Sequence, residues 1–385
     1  MRIGIDGLFL REPHTGMGQH VRNLLVELDA RDADGQEYAA LVPGTLAESD
    51  WPPLRRVARA RAGYGSRHLP AQLAKLWWEH AGVVRAGRAG RIDVLHTPYW
   101  STPIRSPWPT VVTVHDVVQF VLPEYRARAR SRAYFALAAR TLRSATAVIT
   151  VSECSKRDII RYLKIPADRV HVIENAASEA LDRVEDIGRQ DAIRRRYGIA
   201  GRFILNLGAN DARKNLDRLI AAYSLLPHAQ RDTYQLVLAG RHWHADHPLY
   251  PDPRLAARRH GVEDRVVVTG SVDEGDKAAL YSAADVFAFP SLYEGFGIPA
   301  LEAMACGTPV IASDTSALPE VVGDAGVLVN PLDVDALTAQ LGGLLDSPER
   351  RADLSARGLE RARRFTWAKV AERTAEVYRQ VATRR

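Results

Sequence analysis

Two glutamates, Glu294 and Glu302, stand in the segment SLYEGFGIPALEAMACGTPVIAS, Ser291 to Ser313. An apolar strand runs into Pro290-Ser291, a short loop carries Glu294-Gly295-Phe296-Gly297, and Ile298-Pro299 open a helix, since proline is favoured in a first helical turn. Backbone N–H groups at a helix start have no acceptor inside the helix, and beside glycines they can hold a phosphate or another anionic oxygen. Glu302 falls about one turn in, where its carboxylate can point back toward the loop. A surface acid and a capping acid would explain two isolated glutamates. The whole segment suits a nucleotide sugar: amides for a diphosphate and a carboxylate for each of two sets of hydroxyls. Arg213 and Lys214 add the complementary charge, because they follow the glycine-ended strand FILNLG (Phe203–Gly208) and precede a helix. Such a cationic pair in a turn is ordinarily just solvated. At this point in the chain it can bind a phosphate and stabilise the charge that develops on it as a leaving group.

Other residues carry weaker signals. Gly16 and Gly18, in TGMGQH, lie at the first strand–helix junction, where a Gly-x-Gly alone is no more than a flexible turn. His115 ends the β-branched strand VVTVH, and one histidine at a strand end is more often structural than catalytic. His242, His244 and His247 hint at a metal, but their loop spacing suits no standard site, and none is expected. Asp32-Ala-Asp34 reads as a polar turn and Asp333-Val334-Asp335 as a capped helix start, so neither is taken as a metal–diphosphate motif. Cys154 and Cys306 are far apart and read as two small buried thiols, which fits a reducing cytoplasm. Trp77-Trp78, among basic residues, suits either lipid headgroups or a core.

The Ser291–Ser313 segment resembles the defining motif of the family 4 retaining glycosyltransferases of the GT-B fold, with its two glutamates seven residues apart. Other segments are similar to that family in order and position. TGMGQHVRNLL (Thr15–Leu25) resembles its first glycine-rich loop and helix, TVHDV (Thr113–Val117) its strand-end histidine motif, and TVSECSKRDI (Thr150–Ile159) its serine segment. ARKNLDRLI (Ala212–Ile220) resembles the basic donor motif, and Phe365-Thr366-Trp367 the C-terminal return helix. The resemblance implies specific roles. Arg213 and Lys214 clamp the β-phosphate; Gly16 and Gly18 let backbone approach the donor phosphates; His115 touches the donor sugar without acting as a base. Glu294 holds a sugar hydroxyl and is not a nucleophile, and Glu302 binds the ribose. Gly208, Gly295, Phe296, Gly297 and Ile298 line the donor, and the base is read by backbone around Gly270–Val272. Retention, with the leaving phosphate taking the acceptor proton, follows from the same likeness, as does independence of metal.

These groups have to be placed by alternating strands and helices, which run from end to end and point to an α/β protein with parallel sheets. Strands are expected at Arg2–Asp6, Tyr38–Val42, Asp93–His96, Thr110–His115, Ala147–Val151 and Val170–Ile173, with helices from about Gly18 to Leu28 and Arg128 to Leu142. The second half restarts the plan with strands at Phe203–Gly208, Gln235–Gly240, Arg265–Gly270, Asp285–Ser291, Thr308–Ser313 and Ala325–Asn330. A charged stretch around Asp182–Gly201 reads as the crossing between domains. The expected organisation is two facing Rossmann-like doubly wound domains with an interdomain cleft: an acceptor-side domain at 1–180, a nucleotide-sugar domain at 181–365 and a helix at 366–385 returning to the first. The length of 385 residues and the 46% hydrophobic content fit two soluble domains. No apolar run reaches membrane-spanning length, and MRIGIDGLFL enters a strand pattern at once rather than a signal peptide.

The net charge of +6 falls in the first half, where residues 1–185 carry 26 Lys/Arg against 20 Asp/Glu, while 186–385 carry 26 of each. That excess is either a solvated surface or an attraction to an anionic partner such as membrane or a lipid-phosphate acceptor. The arginines are diffuse and accompany no recognition motif, so no nucleic-acid partner is expected. A NAD-dependent oxidoreductase would need a Gly-x-Gly-x-x-Gly turn with an acid after the next strand, which neither half has. A sugar-nucleotide epimerase or a pyridoxal-dependent phosphorylase of the same architecture would need acid–base carboxylates or a cofactor lysine, for which no site is clear. A catalytically silent partner would have no use for Arg213, Lys214, Glu294 and Glu302 together. The expectation is therefore transfer of a hexose from a nucleotide diphosphate sugar, with GDP-mannose favoured and no other cofactor. UDP-glucose, UDP-N-acetylglucosamine and a deoxysugar donor stay open, as do a saccharide, a lipid-linked and a small-molecule acceptor.

Overall fold

The computed structural model describes residues 1–13, 15–31, 35–64, 70–126, 129–240 and 249–383. Asp32, Asp34, His242, His244 and His247 lie outside them. The chain divides into two compact units, Met1–Glu174 with Trp367–Arg385, and Asn175–Thr366.

The first unit holds a seven-stranded sheet: β1 (Arg2–Asp6), β2 (Glu37–Pro43), β3 (Ala58–Ala62), β4 (Val94–Thr97), β5 (Thr110–Val114), β6 (Ala147–Thr150) and β7 (Val170–Val172). All pairs are parallel, in the order β3-β2-β1-β4-β5-β6-β7. Every residue of β5, TVVTV, is buried, as expected of a parallel strand covered on both faces. The edge strand β3, ARARA, is absent from the sequence reading because it lacks the usual strand-forming residues. It forms by pairing with β2, while the outward Arg59 and Arg61 both reach Glu48, Arg59 at 2.8 Å. The Gly16–Ala30 helix starts where the Thr15 hydroxyl accepts from the Gly18 amide (3.1 Å), and it buries Val21, Leu24, Leu25 and Leu28 on one face. The Trp367–Thr383 helix packs here too, sharing a 2.6 Å hydrogen bond between Tyr378 and His96 and accepting one from Gln36 at the Ala375 carbonyl.

The second unit holds a six-stranded parallel sheet of β8 (Arg202–Leu207), β9 (Tyr234–Ala239), β10 (Val266–Gly270), β11 (Val286–Phe289), β12 (Val310–Ser313) and β13 (Val327–Val329), in the order β10-β9-β8-β11-β12-β13. Its core lies on both faces, around Phe203, Tyr281, Phe287 and Met304 on one and Leu219, Tyr223, Leu236 and Leu341 on the other. The stretch 182–201 is not a bare connection. It carries the Ile187–Arg196 helix, capped by Asp186 and packed on the Glu274–Ala283 helix, with Ile193 buried and Arg194 donating to the Ala283 carbonyl. Asp333 caps the Val334–Asp346 helix through the Ala336 amide, as a capping acid should.

Each sheet reverses its strand order once, at β1/β4 and at β8/β11. Neighbouring strands there send their following segments to opposite faces, which opens a crevice at their carboxyl ends. Cys306 is buried, whereas Cys154 is only half-buried, beside Asp158, so one of the two thiols differs from expectation. Trp78 is fully buried and belongs to the core, while Trp77 is half-buried under Arg85.

Candidate functional site

The β8/β11 crevice gathers most of the residues singled out in the second half. After β8, Gly208 is followed by a single 3-10 turn, Ala212–Lys214, which Asp211 caps by accepting from the Arg213 amide (3.0 Å). Asn215 then takes a left-handed conformation (φ +61°), and its side-chain amide donates to the carbonyls of Pro290 (3.0 Å) and Pro331 (2.7 Å). This ties the basic turn to the segments after β11 and β13. Asn215 was missed in the sequence, although an asparagine directly before a helix is a residue able to adopt that backbone cheaply.

The turn delivers both cations to one carboxylate. Arg213 Nη1 donates to Glu294 Oε2 (2.8 Å) and to the Tyr293 carbonyl (3.1 Å), and Lys214 Nζ donates to Glu294 Oε1 (2.6 Å). Lys214 also lies 4.5 Å over the Phe289 ring, and Glu294 is 6% exposed. Burial alone would raise the Glu294 pKa, but Arg213 and Lys214 hold it below the usual carboxylate value. The same burial pushes Lys214 down against the pull of Glu294. A hydrogen bond from Ser291 lowers Glu294 further, and the ammonium keeps N–H groups beyond the one given to Glu294.

Beyond Glu294, Gly297 caps the Ile298–Ala305 helix at φ +112°, and a Cβ there would stand 2.6 Å from Leu318 Cδ2. Glycine is required both by the backbone and by the space. The helix start leaves the Gly297 and Ile298 amides without an intrahelical acceptor, beside the buried loop residues Gly295 and Phe296. The Phe296 ring packs edge-on against Phe365 (5.7 Å). Glu302 is 3% exposed, and its Oε2 accepts from the Tyr281 hydroxyl (2.9 Å); burial raises its pKa. The two glutamates of the motif are thus buried with separate partners and opposite shifts. Gly270 ends β10 with its carbonyl bonded to the Gly240 amide, and Val272 packs on the core at the half-exposed start of the next segment.

The remaining expected residues lie in the first unit. His115 follows β5; its ring is hydrogen-bonded to the Pro98 carbonyl, its Nε2 is buried and has no hydrogen-bond partner among the described residues, and burial lowers its pKa. The His20 ring stands edge-on to it at 4.6 Å. With one ring nitrogen donating to a carbonyl, the other is an acceptor that a hydroxyl can fill. Gly18 is needed because a Cβ would stand 2.1 Å from the Glu12 carbonyl oxygen, whereas a Cβ at Gly16 meets nothing within 4 Å.

Residues 189–361 match the family profile of glycosyl transferases group 1, and residues 14–180 match glycosyltransferase family 4. The chain is 37% identical over 274 residues to the O-antigen chain mannosyltransferase B of Escherichia coli, covering 70% of each chain. It is 33% identical over 323 residues to the MMP alpha-(1->4)-mannosyltransferase of Mycolicibacterium hassiacum, covering 79% of this chain and 74% of that one. Its fold is that of the sucrose-phosphate synthase of Thermosynechococcus elongatus, with a TM-score of 0.76 at 24% identity over the whole of both chains. Two parallel-sheet units, a basic turn and a glycine-led helix start at one sheet reversal, and relatives of this identity and extent together make the chain a member of the family 4, or group 1, glycosyltransferases of the GT-B fold.

Proposed function

We propose that the chain is a retaining, metal-independent hexosyltransferase that takes mannose from GDP-mannose and joins it to an acceptor hydroxyl in glycan or glycolipid synthesis. The observation that carries the reading is the meeting of Arg213 and Lys214 on Glu294 (2.8 and 2.6 Å) at the β8/β11 reversal, beside a glycine-led helix start. Glu294 holds the two cations in place before the donor arrives, so the diphosphate meets charges already positioned. The Arg213 guanidinium and the Lys214 ammonium, with the Gly297 and Ile298 amides, hold the phosphates. Glu294 accepts from a sugar hydroxyl, and Glu302, oriented by Tyr281, accepts from the ribose. Gly208 leaves room beside the Lys214 side chain, and the backbone from Gly270 to Val272 reads the base. For the first unit, the family likeness assigns His115 a sugar-hydroxyl contact and Gly16 and Gly18 a backbone role toward the donor.

Mannose is preferred because the O-antigen and MMP relatives are both named mannosyltransferases. We assign acceptor binding to Met1–Glu174 with the last helix and donor binding to Asn175–Thr366, in the cytoplasm. Contact of the basic first unit with anionic membrane belongs to the same proposal; no helix among the described residues is long and apolar enough to cross one.

Replacing Arg213 and Lys214 together by alanine tests the clamp. Turnover of GDP-mannose is expected to fall by about 10²–10³, as for loss of a group that stabilises transition-state charge, with an unchanged unfolding profile. Chelator leaves wild-type turnover as it was, and the product keeps the donor's anomeric configuration. Near-normal rates in the double variant would remove the clamp from the account.

A further inference from the structure

Four non-glycine residues among those described take a left-handed backbone: Arg91, Lys164, Asn215 and Ser316, with φ of +50°, +57°, +61° and +56°. Arg91 and Lys164 end helical segments, where that conformation is routine. Asn215 joins the basic turn to its helix. Ser316 closes no helix; it lies in the turn between β12 and the Leu318–Val322 helix. Serine is disfavoured in that conformation relative to glycine, and such outliers gather at functional sites. Its side chain gives a reason for it to be there, since Ser316 Oγ accepts from the backbone amide of Glu294 (3.1 Å). Glu294 is 6% exposed, so without that oxygen a part-buried amide would lose its acceptor.

The loop that carries Glu294 follows β11, which lies between β8 and β12, and it is held from both neighbours. On the β8 side, Asn215 donates to the Pro290 carbonyl (3.0 Å), the Leu292 amide donates to the Arg213 carbonyl (2.7 Å), and Arg213 Nη1 donates to the Tyr293 carbonyl (3.1 Å). On the β12 side, Ser313 Oγ donates to the Ser291 carbonyl (2.7 Å). The turn after β12 then reaches Glu294 itself, through Ser316 Oγ and, over 3.4 Å, through the Ala317 amide on the Glu294 carbonyl. Arg213 and Lys214 draw the carboxylate toward the β8 side, while the Ser316 hydroxyl holds the main chain from the β12 side. A carboxylate tethered only at its oxygens would shift with its loop when a ligand competes for the two cations. Anchored at its amide as well, it keeps its place.

We propose that Ser316 is a positioning residue for Glu294: its hydroxyl fixes the main chain of that glutamate, so that the carboxylate stays set for a sugar hydroxyl while the two cations engage the phosphates. The proposal rests on the transferase reading above and adds to it a residue that acts on the donor sugar only through Glu294.

Ser316→Gly and Ser316→Ala in the full chain test it. Both remove the hydroxyl; glycine lifts the backbone constraint and alanine keeps it. Ser316→Gly is expected to melt at or above the wild-type temperature and Ser316→Ala at or slightly below it. Hydrogen exchange of the peptides covering 291–297 quickens about tenfold in both variants, because the Glu294 amide has lost its acceptor. With GDP-mannose, kcat falls about tenfold in both while KM stays within about twofold, since a small misplacement slows the chemistry without removing the groups that bind the donor. A residue serving only the fold would leave kcat untouched in a variant as stable as wild type. The proposal is overturned if exchange across 291–297 is unchanged, or if folded Ser316→Gly turns over like wild type. A wild-type protein that leaves GDP-mannose untouched would instead strike the donor reading, and the exchange comparison would still decide the role of Ser316.

Discussion

Lys214 is 6% exposed, rests on the Phe289 ring and donates a hydrogen bond to Glu294, 80 residues further along the chain. A basic pair after a glycine-ended strand is visible in the sequence, and so is a glutamate before Gly295. Their union on one carboxylate is not, because periodicity says nothing about which strand ends adjoin, and only the β8/β11 pairing brings them together. Glu302 shows the same limit: its type was legible, its partner Tyr281 was not. Asp6 went unremarked as the last residue of a strand, yet it is fully buried and its pKa is pushed up to about 6 by that burial, against the hydrogen bonds from Tyr99, Trp78 and Leu8. A raised carboxyl pKa means that folding favours the protonated form. Its contribution is complete below the unfolded value of 3.8 and is lost as pH rises through about 6. Asp6→Asn removes the titration. The stability of wild type relative to Asp6→Asn is therefore expected to fall by about 3 kcal/mol between acidic and mildly alkaline pH, measured by urea unfolding of both proteins. A difference that stays constant across that range would refute it.

At the scale of elements, strands with β-branched runs and helices with a clean apolar face were readable within a residue or two. The Asp93–His96 and Thr110–His115 expectations, for example, became Val94–Thr97 and Thr110–Val114. β3 was not readable, since alanine and arginine carry no strand signal and it takes its form from β2. The stretch 182–201 was misjudged for a related reason: its Ile187–Arg196 helix is mostly polar and holds on through Ile193 and the Glu274–Ala283 helix. Glycines at junctions were legible as glycines but not as to purpose. Gly18 makes room for the Glu12 carbonyl, so Gly18→Ala must displace the first turn of its helix and is expected to cost on the order of 2 kcal/mol in chemical unfolding. Gly16→Ala meets open space and should change stability by no more than about 0.5 kcal/mol. If Gly16→Ala nonetheless lowers turnover, its backbone serves the donor. If Gly18→Ala is as stable as wild type, the close approach has been misread.

Over the whole chain, one plan is used twice: a parallel sheet that reverses its order once. The second reversal gathers two cations on Glu294, while at the first β1 ends on the fully buried carboxyl of Asp6. The net charge of +6 reports little of this, because it sums over side chains that already pair locally. Arg59 and Arg61 pair with Glu48, and Arg2 with Glu37. The family and the two-sheet architecture were legible in the sequence; the sites of recognition depend on which strands became neighbours. The central claim is that a sugar-bearing diphosphate is gripped at the second reversal, and a crystal structure of the chain with GDP tests it most directly. The account predicts phosphate oxygens within hydrogen-bond distance of Arg213, Lys214 and the amides of Gly297 and Ile298. A diphosphate bound elsewhere, with those groups still closed upon Glu294 alone, would contradict it.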